Sequence, residues 1–361
     1  MRSPLNKRLF RELRGEFGKY LVIFILMTLT IGMVSGFLVA DGSMIQAYEE
    51  SFEKYNIENG HFRTEKKMNN AQIQDIEDLG IKLYENYYVE EALTNGSTMR
   101  IFKNRDEVNK VCLMKGKMPE KPGEIGIDRM YADNNDLSVG DEIESGGHTW
   151  KITGLVALSD YSALFSNNND SMFDSVKFGV SVVCPEEFDS YKADQLNYSY
   201  AWKYNIEPKN EKAEKDISED LMEDVAKEVT LEEFVPRYTN PAIIFTGDDM
   251  GGDRSMIIVL LYIIIVIMAF VFAITTSNTI RKEANVIGTL RASGYTRGEL
   301  IRHYMAAPVF VTFIGAIIGN IIGKWRKSEV ERKCWKSIVF VQIWHWRKRS
   351  VLSRIMSRYR E

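Results

Sequence analysis

The sequence predicts a membrane protein in which α-helical transmembrane spans carry an α+β extracytoplasmic domain. Three observations lead there. Three runs without a charged side chain, Tyr20–Ala40, Met256–Thr276 and Tyr304–Gly323, are 21, 21 and 20 residues long. About 20 apolar residues at 1.5 Å each cross a ~30 Å hydrocarbon core. Charge also changes sign along the chain: residues 1–19 hold six basic and two acidic side chains, residues 41–255 hold 23 and 43, and residues 324–361 hold twelve and three. That asymmetry marks a chain divided between compartments, although the formal net charge is only −4. Finally, the stretch between the first two apolar runs mixes short β-type runs with amphipathic helical spacing.

Taken in order, residues 1–19 are a basic N-terminus. Arg2, Lys7, Arg8, Arg11, Arg14 and Lys19 place it in the cytoplasm, because short basic flanks stay inside. Residues 20–40 form the first span. A cleaved signal peptide is the rival reading; the long basic leader, the length of the run and the lack of an A-x-A site count against it. Residues 41–255 are then exported as the extracytoplasmic domain, and a second span, 256–276, returns the chain. Arg281, Lys282, Arg291, Arg297 and Arg302 fit a cytoplasmic loop at 277–303, and residues 304–323 form a third span. The expected location is the plasma membrane, as a multi-pass protein.

Within 41–255, Ala71–Leu79 reads as a short helix ended by Gly80. Ile217, Leu221, Val225 and Val229, four apart among charges, predict an amphipathic helix over Glu211–Val229. Strands are predicted at Lys82–Tyr84, Thr98–Phe102, Val111–Met114, Glu124–Ile127, Trp150–Val156 and Phe178–Val183. Asn167–Asp170 reads as a polar turn, too poor in ordered oxygens for calcium. Cys112 and Cys184 read as free thiols rather than a disulfide framework. His61, His148, His303 and His345 show no metal-ligand spacing, so no metal site is expected.

Catalytic signatures are missing. The sequence has no G-x-x-x-x-G-K-[ST], no G-x-S-x-G and no H-E-x-x-H, and the apolar runs hold no Asp, Glu, Lys or Arg. We expect no enzyme activity in this chain alone, no catalytic residues, no cofactor and no nucleic-acid partner. Small residues recur every four positions at Thr28, Gly32, Gly36 and Ala40, and at Gly315, Gly319 and Gly323. Such stripes let helices approach closely in lipid, within one chain or between subunits; packing within the chain is the favoured reading.

The segment Arg281–Leu300, RKEANVIGTLRASGYTRGEL, is basic and too polar to span. On a helix, Ile280, Ala284, Ile287, Leu290 and Gly294 share one face. Gly294 predicts a helix stop and Thr296 a new N-cap leading Leu300 into the third span. It is either an interfacial anchor or a docking helix that transmits force.

Ile287–Tyr295, IGTLRASGY, resembles the signature that follows the second span in FtsX-like, or MacB-type, ABC transporter permeases. KGKMPEKPGEIGI at Lys115–Ile127, LSVGDEI at Leu137–Ile143 and WKITGLV at Trp150–Val156 resemble that family's extracytoplasmic core. ALSDYSALF at Ala157–Phe165 and MFDSVKFGVSVV at Met172–Val183 resemble the long, duplicated permeases of Gram-positive bacteria. The resemblance covers residues 1 to about 323. It implies a cytoplasmic ABC ATPase subunit as partner, with Glu283, Ile287, Gly288, Leu290, Arg291 and Gly294 coupling ATP-driven motion to the extracytoplasmic domain. The motion would export or extract a lipid, peptide or lipoprotein-like substrate. Membrane lipid and a dimer or second permease half are further implied partners. Val286 departs from the family, where many relatives have Glu before the Ile-Gly pair. The alternatives are an extracytoplasmic ligand sensor and a regulator of cell-wall hydrolases.

The pattern breaks after Gly323. Residues 324–361 hold Trp325, Trp335, Trp344 and Trp346, and their apolar run Ile338–Trp346 is too short to span. The tail reads as aberrant, from a frameshift or truncation. A basic lipid anchor or a contact for another partner are the other readings.

Overall fold

The computed structural model describes residues 14–325, so the tail expectation falls outside the described residues past Trp325. Among the described residues the chain forms two compact units, one from residues up to 46 together with those from 250 onward, the other from residues 47–249.

In the first unit, α1 (Phe17–Lys54), α6 (Pro241–Lys282) and α8 (Arg297–Trp325) are long and apolar enough to cross a membrane. Leu29 and Met33 on α1 and Val259, Tyr262 and Phe270 on α6 are exposed, as on a helix apolar all round that faces lipid. The helices outrun their apolar runs. At 1.5 Å per residue the 42 residues of α6 extend about 63 Å, twice the hydrocarbon thickness. Hydropathy marks only the lipid-facing length, whereas a helix continues until a cap or breaker stops it. For α6 that signal is Pro241 in its first turn, with the Asn240 carboxamide accepting from the Ala242 N–H at 3.0 Å. The first turns of α6 and the last turns of α1 consequently belong to the second unit.

The second unit is an α+β domain of two sheets. One is an antiparallel four-stranded sheet in the order β11 (Leu231–Pro236), β1 (Gly60–Thr64), β10 (Tyr198–Tyr204), β2 (Ile81–Glu85). The other is a mixed seven-stranded sheet in the order β3 (Tyr88–Ala92), β4 (Thr98–Lys103), β9 (Phe178–Val183), β6 (Glu124–Asp128), β8 (His148–Leu158), β5 (Val111–Gly116), with β7 (Glu142–Ser145) paired to β8. All six predicted strands form, five of them longer than expected and Phe178–Val183 with the same bounds. One hydrophobic cluster serves both sheets, with Phe62, Ile101, Trp150, Val180 and Trp202 fully buried. Gly60 makes room for the Trp202 ring: a Cβ there would lie 2.3 Å from it.

Short helices close the sheets. α2 (Asn70–Glu77) starts with a full capping box between Asn69 and Gln72, and α3 (Arg129–Asn134) is capped by Asp128. α4 (Pro185–Phe188) is a single turn, and α5 (Glu211–Glu228) packs along β11 and α2. The α5 stripe differs from expectation. Ile217 is exposed and Ser218 is buried in its place, with Leu221 and Val225. Steps of four drift 40° on a helix of 3.6 residues per turn, so the 3,4 spacing from Ser218 keeps the sheet-facing line. Cys112 and Cys184 are free thiols.

Candidate functional site

The segment between α6 and α8 is shaped by a kink at Glu283 and by local signals at the end of its helix. Glu283 leaves helical geometry at φ −101°, ψ 14°, and kinks the chain without cutting it: its N–H still bonds to Thr279 and its carbonyl accepts from Ile287. A separate helix, α7 (Ala284–Ala292), follows. The single apolar face expected from Ile280 to Gly294 is therefore interrupted at Glu283. α7 ends in a complete Schellman motif. The Tyr295 N–H donates to the Leu290 carbonyl and the Gly294 N–H to that of Arg291, with Gly294 at φ +95°, where glycine carries no steric penalty. Thr296 then caps α8: its N–H and hydroxyl both donate to the Glu299 carboxylate, at 2.9 and 2.8 Å. Leu300 is buried in the first turns of α8.

Placed on this frame, the predicted coupling residues separate into two groups. Gly288, Arg291 and Gly294 are exposed; Ile287 and Leu290 are half-buried. No residue of α7 is fully buried. Glu283 turns inward and accepts a hydrogen bond from the Tyr304 hydroxyl at 2.5 Å, which ties the kink to α8. Beside it, Lys19 on α1 donates to Glu16 and to Thr279 of α6, both at 2.7 Å. These side chains, with Lys282 and His303, line a cavity of about 370 Å³ at the same ends of the three helices. Sequence reading missed Tyr304 and Lys19, since no pattern links positions 21 or 260 residues apart.

The two small-residue stripes meet each other. Thr28 donates to the Gly315 carbonyl at 3.4 Å, Gly32 faces Gly319 and Gly36 faces Gly323. The contact is tighter on the α8 side. A Cβ on Gly319 would sit 2.9 Å from the Thr28 carbonyl oxygen, and one on Gly323 2.9 Å from the Gly36 nitrogen, whereas one on Gly36 finds ordinary contact at 3.7 Å. Tyr20, Ile23, Ala307 and Val311 form a small core beside the stripe, with Phe24 and Phe272 packed on it.

The root of α6 is clamped inside the domain. The Ser162 hydroxyl lies 2.9 Å from the carbonyls of both Ala242 and Ile243, and the Ala163 N–H donates to Ala242 at 3.2 Å. Phe165 and Phe173 enclose Phe245, and Tyr48 of α1 donates to Ile243 at 3.2 Å. No group of three or more metal-ligating side chains occurs among the described residues.

Residues 258–328 match the family described as FtsX-like permease C-terminal. No curated protein matches the chain. Among solved structures, the chain is similar to the periplasmic region of MacB from Actinobacillus actinomycetemcomitans, at a TM-score of 0.27 and 11% identity over 47% of this chain and 85% of that one. It is also similar to the extracellular domain of the noncanonic ABC-type transporter YknZ from Gram-positive bacteria, at 0.26 and 10% over 46% and 92%. TM-scores of this size leave the family match as the finding that counts. It spans the apolar half of α6, all of α7 and all of α8. The segment these helices build is the part of the chain that is similar to FtsX-like permeases.

Proposed function

We propose that this chain is the permease subunit of an ABC transporter, coupling ATP hydrolysis by a partner ATPase to movement of its extracytoplasmic domain. In this reading it lies in the plasma membrane with its N-terminus and α7 cytoplasmic and residues 47–249 outside. The basic residues around α7 and before α1 support that orientation. The movement would export or extract a lipid, peptide or lipoprotein-like substrate. The observation that carries the reading is α7 itself, a short helix set off from α6 by the kink at Glu283 and ended by the Schellman motif at Gly294. It offers Gly288, Arg291 and Gly294 outward and is tied to α8 through Glu283 and Tyr304. A partner pressing on α7 would move α8 through that bond and α6 through the unbroken backbone at Glu283. α6 is one helix from there to Pro241, where Ser162 and the phenylalanines grip it.

The test uses the full chain in lipid nanodiscs with its ABC ATPase. Arg291→Glu and Gly288→Trp alter the exposed face without touching the half-buried Ile287 and Leu290. Each is expected to cut permease-stimulated ATP hydrolysis about tenfold, the size of a lost charged or central interface contact. Full stimulation in both variants would remove α7 from the coupling path.

A further inference from the structure

The domain holds a charged cavity that the coupling reading does not use. On β1, burial alternates so that Phe62 enters the core while His61 and Arg63 face the other way. Register adds Glu233 of β11 and Ser199 of β10 opposite Arg63, hence on the same face. In the second sheet Tyr88 pairs with Phe102 and Glu90 with Arg100, again one face. These two faces and the loop 160–168 enclose a cavity of about 140 Å³. A cavity of about 150 Å³ admits a molecule the size of benzene, so the space suits a ligand of roughly amino-acid size.

Part of this charge is committed to the fold. Arg105 holds Asp160 through two 2.7 Å bonds. Arg100 donates to Glu90, to the Tyr161 hydroxyl and to the Ser166 carbonyl, and its guanidinium covers the Tyr88 ring at 4.5 Å. Both Glu58 carboxylate oxygens are engaged, one by His61 Nδ1 and one by Asn109 Nδ2, each at 2.6 Å. Burial disfavours the imidazolium, but the Glu58 carboxylate outweighs it and the His61 pKa is raised.

Other groups are left open. Among the described residues, His61 Nε2 has no hydrogen-bond partner. The buried Arg63 Nε lies 3.3 Å from Glu232 but out of line, and likewise has none. Glu90 uses one carboxylate oxygen for Arg100, and Glu233 uses one for Asn168 at 2.8 Å. Neither second oxygen has a hydrogen bond among the described residues, and that of Glu233 faces Arg63 Nε at 4.0 Å, beyond hydrogen-bond reach. The Arg63, Glu90 and Glu233 side chains are 29, 40 and 36% exposed, so the cavity is reachable. Two sheets that only had to meet would do so at less cost with apolar side chains.

We infer that this cavity is a binding site for a small zwitterion of the α-amino-acid class. The ligand carboxylate would take the open donors of His61 and Arg63, and its ammonium the open oxygens of Glu90 and Glu233. The site is independent of α7, and ligand binding there needs no ATPase. The experiment is equilibrium dialysis of the full chain in nanodiscs against labelled glycine, L-alanine and L-serine, with N-acetyl-alanine and alanine amide as blocked forms. Saturable binding of at least one amino acid is expected, weakened about tenfold by blocking either end. Arg63→Gln should weaken alanine about tenfold but leave alanine amide unchanged, and Glu233→Gln should weaken alanine but leave N-acetyl-alanine unchanged. The two variants change opposite charges, so a general folding defect cannot mimic that crossed pattern. No binding up to about 10 mM, equal binding of the blocked forms, or uniform loss in both variants would overturn the assignment.

Discussion

The helices and the domain are held together by opposite means. Where α1 meets α8, the contact is made by what is missing: glycines at 32, 36, 315, 319 and 323 let backbones touch, with one 3.4 Å hydrogen bond from Thr28 across the stripe. In the domain the contact is made by bulk and charge: Trp150, Trp202 and Phe62 fill the core, and Arg105–Asp160 and Glu58–His61 are buried ion pairs. Lipid is as apolar as leucine, so helices inside it gain little from hydrophobic burial and must gain from close fit. Water drives the domain's core together, and that surplus offsets the desolvation of its buried charges.

The largest effect should come from splitting a buried pair in the domain. Arg105→Ala leaves Asp160 buried without its partner and is expected to cost about 3–5 kcal/mol in denaturant unfolding monitored by tryptophan fluorescence. Replacing both, as Arg105→Met with Asp160→Leu, should recover most of that loss; failure to recover would mean the pair has a role besides neutralising itself. Next comes the helix stripe. Gly319→Ala should cost about 1–3 kcal/mol and loosen cross-links between α1 and α8, whereas Gly36→Ala should change little. Equal effects at the two positions would show that the contact is not set by the α8 backbone.

The smallest effect is pH-dependent and belongs to the domain alone. His61 has a folded pKa above its ordinary 6.5, so its pairing stabilises fully below about 6.5 and is lost as pH rises through the folded value. Glu58 has a folded pKa below 4.5, so its share is present above 4.5 and lost as pH falls through the folded value. His61→Gln should therefore cost about 1–2 kcal/mol near pH 6 and less near pH 9. A pH-independent cost would mean the ring acts by shape rather than charge.

Much of the fold was legible in one dimension because its causes are local. Uncharged runs mark spans, since lipid tolerates no interruption. Gly294, and Thr296 with Glu299, mark the C-terminal end of α7 and the start of α8, because a cap is satisfied within four residues. Strands such as Phe178–Val183 announced themselves by β-branched runs. β1, GHFRT, did not, because glycine, histidine and arginine leave it one apolar side chain; β10, YSYAWKY, alternates aromatic with smaller or polar residues and carried a strand signal that the expected strands leave out.

Contacts across long separations were decided by the tertiary fold. Both small-residue stripes were visible, but that residues 28–36 face residues 315–323 depends on how α1 and α8 pass each other. The kink at Glu283 is held by a tyrosine 21 residues away. His61 and Arg63, unremarkable in a charged stretch, become half of an enclosed cavity only when β1 is set against β3 and β4. Local chemistry writes the elements, because caps and lipid act on neighbours in the chain; which open charges come to face one another is settled only when the sheets close over them.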